Sequence, residues 1–289
     1  MGGACLRTRS KITIITASYN SEKTIEQTIS SVVHQNYDNL EYIIVDGGST
    51  DGTIDIIKRY DSHGIKWISE PDHGLYDALN KGIALATGDY IGIIGSDDSF
   101  TDENTISRLI SGMESNTDIL SGQEWLIDEV SRTQVPYTNI NARNKETYHG
   151  GMVPHAAMLV RRDLFRRYPF DTSYRIAADY KFFLQCYYDE NVRIQYSDEM
   201  VAFFSLSGVS SNIEACWAEE NRIYQELKLP FHSPDCSHMM LPIRWLKQLL
   251  IAVRLFIPLR SIGKMIDSRL RWKKHECSNR ICRWCDRGK

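Results

Sequence analysis

The chain has 289 residues, 42% of them hydrophobic and 25% charged, with a net charge of −3. This is the composition of a globular protein long enough to bury a large core, and no run of about 18 uncharged apolar residues is present to span a bilayer. The opening MGGACLRTRS lacks the apolar stretch of a secretion signal. Seven cysteines without framework spacing fit reduced thiols and a cytoplasmic location.

In chain order, Ile12–Ser18 is a β-branched run that reads as a buried strand, followed by a helix with Ile25, Ile29, Val32 and Val33 on one face. Glu41–Asp46 is a second strand running into Gly47-Gly48-Ser49-Thr50-Asp51-Gly52, and Ile54, Ile57 and Tyr60 mark the next helix. A third strand, Ile65–Ser69, leads through Glu70-Pro71-Asp72-His73-Gly74 into a helix predicted to bury Leu75, Leu79, Ile83 and Ala86. Tyr90–Ile94 is a fourth strand ending at Gly95-Ser96-Asp97-Asp98. Strands alternating with helices predict a mostly parallel α/β sheet of right-handed βαβ units, flanked by helices. Thr101–Gly112 reads as a helix, Ile119–Ile127 as a strand and Ser131–Gly150 as a long loop, while His155–Leu164 and Ala178–Tyr188 carry further apolar runs.

Ligands of open α/β sheets bind beyond the carboxyl ends of the strands. Three such ends are polar clusters, Thr16–Asn20, Asp46–Ser49 and Gly95–Asp98, and they are expected to meet in one crevice. The pair Asp97-Asp98 suits Mn²⁺ or Mg²⁺ sharing phosphate oxygens, with a helix cap as the alternative. Asp46 could accept from the N3–H of a uracil, or serve the turn, and Asp51 reads as the cap of the following helix. Asp179 and His155 each have a bland reading, as a cap and a hydrogen-bonded structural histidine. No G-x-S-x-G, P-loop or G-x-G-x-x-G after the first strand occurs, which argues against hydrolases, P-loop NTPases and classical dehydrogenases.

Four segments in order, Ile14-Ile15-Thr16-Ala17-Ser18-Tyr19-Asn20, Val45–Thr53, Glu70–Gly82 and Gly95–Asp98, together resemble family 2 glycosyltransferases with the GT-A fold, as found in bacterial polysaccharide and O-antigen assembly. Two departures stand out: Gly47 replaces a second Asp of the uridine-binding loop, and Gly95 replaces the first carboxylate of the D-x-D metal motif. Pro154–Arg162 resembles an acceptor-side segment containing His155, and Asp179 falls where the family places its catalytic base. The resemblance implies inverting transfer from a nucleotide sugar, foremost a UDP-sugar, to a hydroxyl of a glycan or lipid-linked acceptor in cell-surface polysaccharide or lipopolysaccharide assembly. It implies nucleotide contacts from Thr16, Ala17, Tyr19, Asn20, Glu22, Asp46, Gly74, Lys81, Ser96 and Asp97. A Mn²⁺ or Mg²⁺ ion would sit on Asp97 with Asp98. A sugar nucleotidyltransferase and a non-catalytic nucleotide-sugar-binding scaffold are the alternatives; the first should carry a Gly-rich triphosphate loop, which Thr16–Asn20 lacks.

The expected organisation is a tail over residues 1–10, a catalytic domain over 11–236 (a nucleotide half at 11–100, an acceptor half at 101–236) and a basic segment over 237–289. Between Leu241 and Lys289 there are 13 Lys and Arg against 3 Asp and Glu, while the rest of the chain is acidic, which disfavours nucleic acid as its partner. Apolar stripes there, Ile243–Ile257 and Ile262–Leu270, predict basic amphipathic helices. These would either bind an anionic membrane surface, placing the protein on the inner face of the cytoplasmic membrane, or pack as a hairpin on the domain. His275, Cys277, Cys282 and Cys285 could hold a zinc ion, although only one C-x-x-C is present.

Overall fold

A computed structural model describes residues 10–128, 133–138, 140–145, 148, 152–206, 213–229 and 273–274. Its parallel half is built from β1 (Ile12–Ser18), β2 (Leu40–Asp46), β3 (Lys66–Ser69) and β4 (Tyr90–Ile93), in the spatial order β3-β2-β1-β4. The register pairs Ser18 with Asp46 and Asp46 with Ser69, so three strand ends align at one edge of the sheet.

The fold is a mixed α/β, Rossmann-like sheet, and its second half departs from the parallel expectation. β8 (Met158–Arg161) runs antiparallel to β4, and β6 (Ile119–Asp128) antiparallel to β8. β9 (Ile194–Ser205) lies parallel to β6 and antiparallel to the short β5 (Ser99–Phe100). Within the segment expected to be a loop, β7 (Thr133–Tyr137) forms a hairpin partner of β6, with Pro136 opposite Trp125. A proline donates no ladder hydrogen bond, which masked this strand in the sequence. Lys273–Lys274, expected in a helical stretch, instead forms β10 beside β7; the rest of the basic segment and the cysteine cluster lie outside the described residues.

Strand alternation divides the core between two faces. Ile15, Ile43 and Val45 pack on one side with α3 (Leu75–Leu85) and α6 (Ala178–Tyr188). Ile12, Ile14, Ile44 and Tyr42 pack on the other with α1 (Ile25–Val33) and α2 (Thr53–Arg59). α3 is rotated from its expected face: Tyr76, Leu79 and Gly82 are buried while Leu75 is 44% exposed. Gly82 explains the rotation, because a Cβ there would lie 2.6 Å from Ile15 Cγ2. Only the bare backbone lets the helix approach β1 so closely. The chain continues through α4 (Thr105–Ser111), α5 (Arg162–Arg167) and α7 (Ile213–Leu227). Among the described residues no helix is long and apolar enough to cross a membrane.

Candidate active site

The polar strand ends meet as expected. Asn20, in left-handed backbone (φ 48°), donates its N–H to Ser49 Oγ at 2.8 Å and accepts the Thr50 N–H at 2.9 Å. Ser21 Oγ lies 2.9 Å from Ser96 Oγ, joining the β1 end to the β4 end across 75 residues. Glu22 accepts the Gly52 N–H and Asp51 accepts the Thr53 N–H, which ties the β1 and β2 loops together at the start of α2. Thr16 is buried with its hydroxyl beside Tyr42, whereas Tyr19 is 64% exposed and free to present a ring to a ligand.

Asp46 anchors its own loop. It is fully buried, and its carboxylate accepts from Ser18, Ser49 and Ser69 hydroxyls and from the Gly48 and Ser49 N–H groups. With both oxygens engaged it shapes the Gly47–Ser49 loop. The Asp46 carbonyl also accepts the Glu70 N–H, which brings the Glu70–Gly74 loop alongside. Gly74 (φ 119°) opens α3, its N–H accepted by Asp72 Oδ1 at 2.9 Å. Lys81 pairs with Glu70 at 2.9 Å and with Asp77 at 3.5 Å, so its charge is offset locally, and the Glu70 bond raises its pKa.

The two acids of the metal motif have different surroundings. Asp98 is 2% exposed; Oδ1 accepts the Ser205 N–H from β9 at 2.9 Å and Oδ2 the Gly95 N–H at 3.3 Å. Asp97 is half-buried at the crevice. Both carboxylates curl over Gly95, where a Cβ would come within 2.6 Å of Asp98 Oδ2 and 3.0 Å of Asp97 Oδ1. A side chain at 95 would have to displace the Asp98 carboxylate. No group of three or more His, Cys, Asp or Glu side chains able to hold a metal forms among the described residues. One or two carboxylates fit a hard cation whose remaining ligands are phosphate oxygens and water, as Mg²⁺ commonly binds.

Asp179, in the first turn of α6, lines a cavity with Gly95. Its Oδ1 accepts from Tyr76 Oη and from the Tyr180 N–H, both at 2.9 Å. Tyr76 Oη is also within hydrogen-bond distance of the Ile176 carbonyl. The loop before Asp179 is fixed from α7, where Glu219 accepts the N–H groups of Arg175, Ile176 and Ala177. Next to it, burial and then the Asp179 charge push the Glu220 carboxyl up to about 7. A cavity of about 90 Å³ is lined by Gly95, Asp179 and His155 and walled by Leu75, Leu79, Phe165 and Phe182. His155 stands edge-on to Phe204, ring centroids 5.2 Å apart.

Tyr76, Asp72, Glu219 and Glu220 were not among the expected site residues. Tyr76 and Asp72 lie inside the resemblance but look like an apolar-face aromatic and a loop acid. α7 carries no motif, so only its packing reveals Glu219 and Glu220.

Residues 13–169 match the family described as Glycosyl transferase family 2. A PGL/p-HBAD biosynthesis glycosyltransferase of Mycobacterium bovis is 28% identical over 214 residues, covering 69% of this chain and 78% of the relative. An uncharacterized glycosyltransferase of Mycobacterium tuberculosis is 30% identical over 182 residues, covering 60% and 68%. Among solved structures, Staphylococcus aureus TarS 1–349 in complex with UDP-GlcNAc aligns with a TM-score of 0.57 at 19% identity, covering 89% of this chain and 76% of that one. The mannosyltransferase PcManGT of Pyrobaculum calidifontis, in complex with GDP-Man and Mn²⁺, aligns at 0.61 and 16% identity, covering 89% and 79%. The family match spans more than half of the chain, and the sheet order and crevice agree with it: this chain belongs to glycosyl transferase family 2.

Proposed function

We propose that the protein transfers a sugar from a UDP-sugar to a hydroxyl of a glycan or lipid-linked acceptor, with inversion at the anomeric carbon. The observation that carries this reading is that Gly95, over which the Asp97 carboxylate lies, and Asp179, 84 residues further along the chain, line one cavity. Asp179 accepts the acceptor proton as that oxygen attacks the face opposite the diphosphate, and one displacement inverts the centre. Asp97 would hold a divalent ion, which would supply positive charge to offset that on the departing diphosphate. The neighbours that bind UDP-GlcNAc, or GDP-Man with Mn²⁺, share this fold and support a nucleotide-sugar donor.

A screen of UDP- and GDP-sugars with and without Mn²⁺, read by donor consumption and by the anomeric configuration of the product, tests the reading. Asp179→Asn should cut transfer at least about a thousandfold and leave nucleotide binding within about threefold. Retained transfer would remove Asp179 from the mechanism, and a product with retained configuration would exclude single displacement. We further propose that the basic segment over 237–289 holds the enzyme on anionic membrane surfaces, where lipid-linked acceptors are presented. Equal sedimentation with anionic liposomes by the full chain and by a variant with its Lys and Arg neutralised there would overturn this.

A further inference from the structure

We propose that Asp72 supplies the carboxylate that recognises the nucleobase, in the place a side chain at position 47 would otherwise occupy. The inference rests on the nucleotide-sugar reading above and adds which group selects the base. A Cβ built on Gly47 would lie 2.5 Å from Asp72 Oδ2 and 3.1 Å from Asp72 Cγ. The Asp72 side chain therefore fills the space above the bare Gly47 backbone, and a side chain at 47 would displace it.

Asp46, the acid nearest in sequence, has both oxygens engaged inside the loop and has none to offer a ligand. The loop amides are also taken: the Gly47 N–H binds the Ser18 carbonyl, and those of Gly48 and Ser49 bind Asp46. Asp72 is half-buried; its Oδ1 accepts the Gly74 N–H, whereas Oδ2 has no partner among the described residues. One carboxylate oxygen aimed at a bare backbone step can accept one ring N–H from a planar base. Uracil presents a single imino N–H, at N3. Cytosine has an acceptor there, and guanine presents two adjacent N–H groups that would need both oxygens. The arrangement thus selects uracil, and the 64%-exposed ring of Tyr19, on the neighbouring strand end, is available to stack on it.

Titration of the full-length protein with UDP, CDP and GDP in the presence of Mn²⁺ tests this without an activity readout. Wild type should bind UDP at least about tenfold more tightly than CDP, and Asp72→Asn should shrink that ratio about tenfold, since its amide can donate to cytosine N3. Gly47→Asp alone should weaken UDP binding by crowding Asp72, and the double change Gly47→Asp with Asp72→Ala should bring affinity back to within about threefold of wild type. An unchanged UDP-to-CDP ratio in Asp72→Asn would overturn the assignment even if the double variant is poorly folded. Tighter binding of GDP than UDP by wild type would overturn uracil selection and leave the nucleotide-sugar reading standing. Failure to bind any of the three would remove both.

Discussion

Tyr76 Oη on α3 reaches Asp179 Oδ1 on α6 at 2.9 Å, joining the segment that resembles a donor-binding helix to the proposed base 103 residues away. Tyr76 is 3% exposed, and burial followed by the Asp179 charge holds its hydroxyl protonated, so it stays a donor. The bond engages one carboxylate oxygen, and on the proposed mechanism Tyr76 would act as a positioning residue for Asp179.

Tyr76→Phe keeps the ring packing against Phe170 and removes the hydroxyl that the Asp179 carboxylate and the Ile176 carbonyl share. A hydrogen bond to a charged group is worth about 1.5–3 kcal/mol, so kcat should fall roughly 10- to 100-fold. Nucleotide affinity, measured by calorimetry, should change by less than about threefold. A loss confined to KM would assign Tyr76 to donor binding instead.

The two acids after β4 should separate experimentally. Asp98→Asn puts an amide against the Ser205 and Gly95 N–H groups in a buried site and should cost about 2–4 kcal/mol of stability, read by denaturant melts. Asp97→Asn, at the half-buried crevice position, should leave the melt within about 0.5 kcal/mol and abolish the response of activity to Mn²⁺.

Glu220 predicts a pH dependence of stability. Its carboxyl is raised from 4.5 to about 7 by burial and by Asp179, so the folded state keeps a proton the unfolded state releases. Its contribution is fully present below pH 4.5 and is lost as pH rises to about 7, amounting to about 3 kcal/mol. Glu220→Gln should therefore stabilise the protein more at pH 8 than at pH 5, by thermal melts across that range.

Glu41 works with the opposite sign. Burial pushes its carboxyl up, but hydrogen bonds from Lys66, Thr13 and Thr87 outweigh this and bring it to about 2. The stabilisation is present above pH 4.5 and disappears as pH falls towards 2. Glu41→Gln should lose about 3 kcal/mol at pH 7 and much less at pH 3.

The first hundred residues declared their own structure. Continuous β-branched runs such as Ile12–Ser18 can only be strands buried on both faces, and the glycine-punctuated turns after them fix where the chain leaves the sheet. That local chemistry determined the parallel half and the edge where ligands gather. The antiparallel half was hidden because β7 contains a proline and β9 alternates weakly, so their pairing depends on partners distant in sequence. The roles of the acids were hidden for the same reason. The sequence leaves Asp46 and Asp98 between ligand-binding and turn or cap roles, and only the fold shows the Ser69 hydroxyl and the Ser205 N–H, brought in by other strands, engaging them. Whether a carboxylate faces a ligand depends on which donors surround it, and those donors are gathered only by the folded chain.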